Sequence, residues 1–230
     1  MSRSGPQAPS RWGPRWSRWV GRVLARGLWR TEVRGIQHVP GTGPVIVVAN
    51  HLGLIDGPLV HGLLRRGSHF LITRDMFRGV LGALLLGAAQ IPVDGGGREA
   101  LARGRQVLLR EGIVGVFPEG TRGQGMADQV QGGAAWLGLH TEALIVPVAI
   151  FGTRRTGEGV NVWPSPRRRI LVEFGVPHSL TPPPDLKGRA RQQWAEATVA
   201  TVLRDHVSAV AATTDIELPT DIPVRRKEQA

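Results

Sequence analysis

Cysteine is absent from this 230-residue chain. Its absence excludes disulfides, thiolate metal sites and a cysteine nucleophile, and it fits a cytoplasmic protein. Lysine is nearly absent too, at positions 187 and 227 only, so almost all the positive charge is arginine. Long apolar runs are missing. The most hydrophobic stretch, Val80–Ala89, has ten residues, whereas a helix crossing a bilayer needs about 20. Near the N-terminus arginine interrupts every apolar run before it reaches the ~7 residues of a signal-peptide core. Neither a transmembrane segment nor a signal peptide is therefore expected. No G-x-S-x-G or H-E-x-x-H pattern occurs, which argues against a serine nucleophile elbow and a zinc-protease site. The glycine triplet at 95–97 has no Walker lysine after it and is read as a flexible loop.

What is present is a strong basic excess, 29 Lys+Arg against 18 Asp+Glu for a net charge of +11. Such a balance attracts nucleic acid, anionic membrane surfaces or phosphorylated substrates. The length suits one domain with a substantial core. Within it, Val45–Ala49 reads as a strand buried on both faces that breaks at Asn50-His51, with a carboxylate at Asp56. In parallel α/β sheets ligands bind beyond the carboxyl ends of the strands, where His51 would emerge. A histidine there can take up a proton near neutral pH, and Asp56 can orient its imidazole. Spacing alone does not separate this role from a structural hydrogen bond. A second block, Val114–Arg122, is again an apolar strand that breaks into a turn, Phe117-Pro118-Glu119-Gly120-Thr121-Arg122.

Together the two blocks resemble the glycerolipid acyltransferases, closest to the bacterial 1-acylglycerol-3-phosphate acyltransferases. His51 through Asp56 matches that family's His-four-residues-Asp motif, and Phe117–Arg122 matches its FPEGTR motif residue for residue. Between them Phe70–Arg74 looks like the second family block and Ile145–Ile150 like the fourth, so the resemblance covers roughly residues 33–178. It implies a single α/β domain with a mixed, mostly parallel sheet and helices on both faces. It also implies His51 as general base on an acceptor hydroxyl and Asp56 as its orienting group. Arg74 and Arg122 would contact a phosphate; Glu119, Gly120 and Thr121 would shape or contact the acceptor site. Val146 and Pro147 fall in the block linked with the acyl donor, although a core strand describes them equally well. No metal or cofactor is implied; acyl-CoA or acyl carrier protein is the co-substrate. Many relatives carry a lysine where this chain has Gln131, which leaves one phosphate or donor contact unaccounted for.

The flanking segments add a membrane expectation. On a helix at about 100° per residue, Trp12, Trp16, Trp19, Val20, Val23 and Leu24 share a face, beside a stripe of Arg11, Arg15, Arg18, Arg22 and Arg26. Four of the seven tryptophans lie in residues 12–29. An arginine-rich face against a tryptophan-rich one is the pattern of a helix lying in a membrane interface. The alternative is a surface helix that docks its tryptophan face on the domain. The expected organisation is a disordered start and membrane-surface helix over 1–30, an acyltransferase domain over 31–212 and a flexible tail over 213–230. Val80–Ala89 is expected to be a buried helix or a wall of the acyl cleft, Arg154 and Arg155 to lie on the site's side, and His61 and His69 to be surface or packing residues. The expected activity is acyl transfer to 1-acylglycerol-3-phosphate at the cytoplasmic face of the membrane, with no nucleic-acid partner. Transfer to glycerol-3-phosphate, a lysophospholipid or a glycolipid, and a non-catalytic basic binding protein, stay open as alternatives.

Overall fold

The computed structural model describes residues 7–118, 124 and 132–221. Helix α1 spans Gly13–Val23 and continues as a π-helical turn, Leu24–Leu28. Strand β1, Arg30–Arg34, stops at Gly35, whose φ of +66° suits glycine. Then follow β2 (Val45–Ala49), α2 (Asp56–Leu63), β3 (Ser68–Thr73), α3 (Gly79–Gly87), β4 (Ile91–Val93), α4 (Arg98–Leu109) and β5 (Ile113–Val116). The second half holds α5 (Gly133–Leu139), β6 (Leu144–Phe151), β7 (Arg169–Phe174) and α6 (Gly188–Ala211).

The strands form one seven-stranded sheet in the order β1-β7-β6-β2-β5-β3-β4. All neighbours are parallel except β6 and β7. This is the single α/β domain with a mixed, mostly parallel sheet that the sequence predicts. The central strand shows why. In β2, Ile46 and Val48 enter the core formed with α4, α5 and α6, while Val45, Val47 and Ala49 enter the opposite core with α2 and the π turn. Every β2 side chain is apolar because each meets a helix layer, and burial of each of its valines and its isoleucine is worth roughly 1.5–3 kcal/mol.

Helix α1 packs on α2 through small residues. A side chain at Gly21 would strike the Pro58 carbonyl, and one at Gly62 would strike the Gly21 backbone. Arg18 reaches from α1 to the Leu64 and Arg65 carbonyls past the end of α2. The tryptophan face is thus not the docking face: Trp12, Trp16 and Trp19 remain exposed. None of the described helices is long and apolar enough to cross a membrane.

Of the two readings of Val80–Ala89, the buried helix does not hold, since only Gly82 of the nine residues of α3 is buried, whereas the cleft wall does, through Leu81, Leu84 and Leu85. The C-terminal expectation needs correction. Residues 213–221 do not form a free tail. Ile216 and Leu218 pack on the core, Asp215 pairs with Arg169 at 2.6 Å, and Asp221 pairs with Arg154 at 3.0 Å. The rest of the expected tail, 222–230, lies outside the described residues.

Candidate active site

Strand β2 delivers His51 to the site because Asn50 ends it. The Asn50 side-chain amide donates to the Ile150 carbonyl at 3.0 Å and accepts from the Ile150 amide at 2.7 Å. A side chain thus does the ladder's work for one more step, and the backbone is released to turn. Asp56, the first residue of α2 and wholly buried, closes that turn. Its Oδ2 accepts from the Leu52 and Gly53 amides at 2.7 and 2.8 Å and lies 2.8 Å from His51 Nδ1. An oxygen that already accepts two amide protons acts as a carboxylate, so His51 Nδ1–H donates to it. Nε2 is then the basic nitrogen, and the carboxylate balances the charge formed when Nε2 takes a proton.

Phe117, first residue of the FPEGTR block, completes the imidazole's setting. Its ring stacks on His51 with centroids 4.1 Å apart and planes 17° apart, and it leans on Phe70 at 5.5 Å. The imidazole is therefore fixed at its edge by Asp56 and on its face by Phe117. The second contact was invisible as a role in the sequence, although the adjacency of β2 and β5 brings it about. Glu119, Gly120, Thr121, Arg122 and Gln131 lie outside the described residues.

His51 opens onto a cleft of about 660 Å³, a volume typical of small-molecule sites. Its walls are largely apolar: Val20 comes from α1, Leu24 from the π turn, and Leu81, Leu84 and Leu85 from α3, and the glycine triplet 95–97 also lines it. Trp29 and Trp163 line it as well; they stack with centroids 5.9 Å apart, and Trp29 donates from Nε1 to the Pro164 carbonyl at 3.2 Å. The loop carrying Trp163 is tied down by Arg168, which donates to both oxygens of Glu158 at 2.6 Å. That guanidinium's hydrogen bonds hold the Glu158 carboxyl below its ordinary range, against the opposing effect of partial burial.

Other expected residues fall elsewhere. Arg74 follows β3 at the surface, its side chain 60% exposed and paired with Asp94 at 2.9 Å. The pair arises because β3 and β4 run parallel with Thr73 opposite Val93, so the next residues of both strands meet. Val146 and Pro147 are sealed inside β6 and do not line the cleft. Arg155 is exposed, but Arg154 is 1% exposed, donating to Asp221 and to the Glu158 carbonyl. His61 and His69 are packing residues, not surface ones. Burial pushes each down to about 4, helped at His61 by neighbouring His69 and Arg18. Ser17 gives its proton to the Gly13 carbonyl, so His61 Nε2–H donates to Ser17 Oγ at 2.9 Å, and Ser68 Oγ donates to His61 Nδ1 at 2.7 Å.

Comparison with known proteins agrees with this geometry. The Acyltransferase family model matches residues 30–151, from the start of β1 to the end of β6. An uncharacterized protein of Mycobacterium leprae is 30% identical over 173 residues, 68% of this chain and 45% of its own length. A Mycobacterium tuberculosis protein, also uncharacterized, is 31% identical over 149 residues, 57% of this chain and 40% of that one. The chain thus spans less than half the length of these curated relatives. The crystal structure of the 1-acyl-sn-glycerophosphate (LPA) acyltransferase PlsC from Thermotoga maritima aligns with a TM-score of 0.65 at 20% identity, covering 86% of this chain and 79% of that one. At that identity the likeness is one of fold. The family model's span takes in His51, Asp56 and Phe117 and more than half the sequence, and on that ground the chain belongs to the Acyltransferase family.

Proposed function

We propose that this protein transfers a fatty acyl group from acyl-CoA or acyl carrier protein to the free hydroxyl of 1-acylglycerol-3-phosphate, giving phosphatidate. The observation that carries the reading is His51, held at Nδ1 by a buried carboxylate and lining an apolar cleft. Nε2 takes the acceptor's hydroxyl proton as the oxygen attacks the thioester carbonyl. The tetrahedral intermediate then collapses, the C–S bond breaks, and the departing thiolate receives the proton from Nε2–H. No enzyme nucleophile is needed, because the substrate alcohol stands where a serine would in a triad.

The apolar walls suit acyl chains. Arg74 is assigned to an acceptor phosphate by family resemblance; its exposed pair with Asp94, worth only about 0–1 kcal/mol, would be a weak competitor for that phosphate. Arg122 and Glu119–Thr121 are assigned to the acceptor by family resemblance alone. The cytoplasmic membrane surface is the proposed place of action, reached through the arginine stripe of residues 11–30. The test is thiol release from acyl-CoA by the purified protein with a panel of acceptors. Release stimulated most by 1-acylglycerol-3-phosphate is expected. Preference for glycerol-3-phosphate, a lysophospholipid or a glycolipid would move the acceptor assignment, and no acceptor-dependent release would overturn the enzymatic reading.

A further inference from the structure

Helix α3 combines two properties that seldom coexist in water. From Gly79 to Gly87 it carries no polar side chain, yet Val80 is 81% exposed, and Leu84 and Leu86 are more than half exposed. Exposed clusters of large aliphatic residues mark interaction surfaces.

The neighbour of α3 points to what covers it. Helix α1 begins where α3 ends: Gly13 sits against the backbone of Gly87 and Ala88, and Trp16 Nε1 donates to the Gly87 carbonyl at 3.3 Å. On and just before α1, Trp12, Trp19, Val20 and Val23 form a further exposed apolar group, and Val20 lines the same cleft as Leu81 and Leu84 of α3. Arginines border it. Arg15 lies over the Trp12 ring at 5.2 Å and Arg22 over the Trp19 ring at 5.3 Å, while Arg78 precedes α3. Aliphatic residues at the centre, tryptophan beside them and arginine at the border are what an anionic lipid surface would match, in both polarity and charge.

The same helix is also a wall of the catalytic cleft. Leu81, Leu84 and Leu85 line it, as do Trp16 and Val20 from α1, whereas Val80 and Leu86 lie outside the lining. We propose that α3 lies in the apolar boundary of an anionic bilayer beside α1, so that the cleft opens laterally between the two helices onto the lipid acyl chains. An acyl chain then passes from bilayer to cleft without crossing water. The inference rests on the reading of α1 as a membrane-surface helix and extends the docking surface to α3.

The absence of cysteine gives a clean test. Val80→Cys and Leu86→Cys on α3, Val20→Cys on α1 and Arg191→Cys on α6, all at exposed positions, each accept one environment-sensitive fluorophore. With phosphatidylglycerol vesicles, the probes at 80, 86 and 20 should brighten severalfold, shift to the blue and be quenched by nitroxides on the lipid acyl chains. The probe at 191 should not change. A response at 20 without one at 80 and 86 would overturn the α3 proposal and leave the α1 reading standing. No response at any position would overturn both. Brightening at 80 and 86 that follows protein concentration without vesicles would overturn the proposal in favour of a second copy of this chain as the partner.

Discussion

At the scale of single residues, the site is defined by how completely His51 is held. Asp56 fixes one edge of the imidazole and Phe117 one face. Aromatic stacking adds about 0.5–1.5 kcal/mol beyond area burial, so Phe117→Leu is expected to lower kcat by roughly 2- to 12-fold with KM nearly unchanged. Steady-state kinetics on one acceptor checks this, and a rise in KM alone would assign Phe117 to substrate binding instead. Arg74 calls for a ratio. If it clamps phosphate, Arg74→Gln removes charge-assisted hydrogen bonds worth about 1.5–3 kcal/mol. The kcat/KM for 1-acylglycerol-3-phosphate should then fall about 10-fold or more, with little change for a monoacylglycerol. Equal losses on both acceptors would make Arg74 a structural partner of Asp94 only. The His51–Asp56 contact was legible from their spacing, which sets them on one turn between β2 and α2, whereas Arg74 was singled out by family resemblance. The Asn50 amide's place in the ladder was not, because it depends on Ile150, one hundred residues away in sequence.

At the scale of elements, the N-terminal helix and the helix at Val80–Ala89 were read correctly in type, and the second also as a cleft wall, though not as exposed on its other face. Apolar composition identifies α3 but does not tell a buried helix from an exposed one that walls a cleft; only the packing around it separates them. Residues 213–221 read as a fraying end because they are polar and proline-containing. What holds them are ion pairs to Arg169 and Arg154, contacts with no periodicity for a sequence to display. The buried histidines make a pH prediction. His61 and His69 ordinarily titrate near 6.5 but only near about 4 in the fold, so below pH 6.5 the unfolded chain binds more protons than the native one. Their contribution is complete above about pH 6.5 and is lost as pH falls toward 4, on the order of 3 kcal/mol for each. Urea midpoints should therefore drop between pH 7 and pH 4.5, and His61→Gln should flatten the slope; a pH-independent midpoint would contradict the buried-neutral assignment. The arginine stripe carries a separate expectation. Trp29 is buried, so truncating the chain at residue 30 would damage the core. Replacing Arg11, Arg15, Arg22 and Arg26 by Gln spares it. At about 1 kcal/mol per arginine near an anionic surface, the replacement should abolish sedimentation with phosphatidylglycerol vesicles, and salt should weaken wild-type binding. Unchanged sedimentation would reduce α1 to a packing element.

At the scale of the whole molecule, one sheet serves both tasks proposed for this protein. Its central strands β2 and β5 end side by side, one in His51 and the other in Phe117, so the reactive imidazole sits at the carboxyl edge of the sheet. The helices over that edge supply the apolar walls of the cleft, and α1 carries arginine at its border. Strand order explains why motifs far apart in the chain converge, and the parallel pairing of β2 with both β5 and β6 follows from crossovers that lay helices on both faces. His51 is the proposed base in direct acyl transfer. Phosphatidate formation from acyl-CoA and 1-acylglycerol-3-phosphate, measured side by side for the wild-type protein and a folded, vesicle-bound His51→Ala variant, tests it most directly. General-base catalysis contributes about 10²–10⁴-fold, so the variant is predicted to lose at least about 99% of turnover while melting and binding vesicles like the wild type. A variant that kept more than about a tenth of wild-type turnover would contradict the assignment, because that loss of under 1.4 kcal/mol is too small for a missing base.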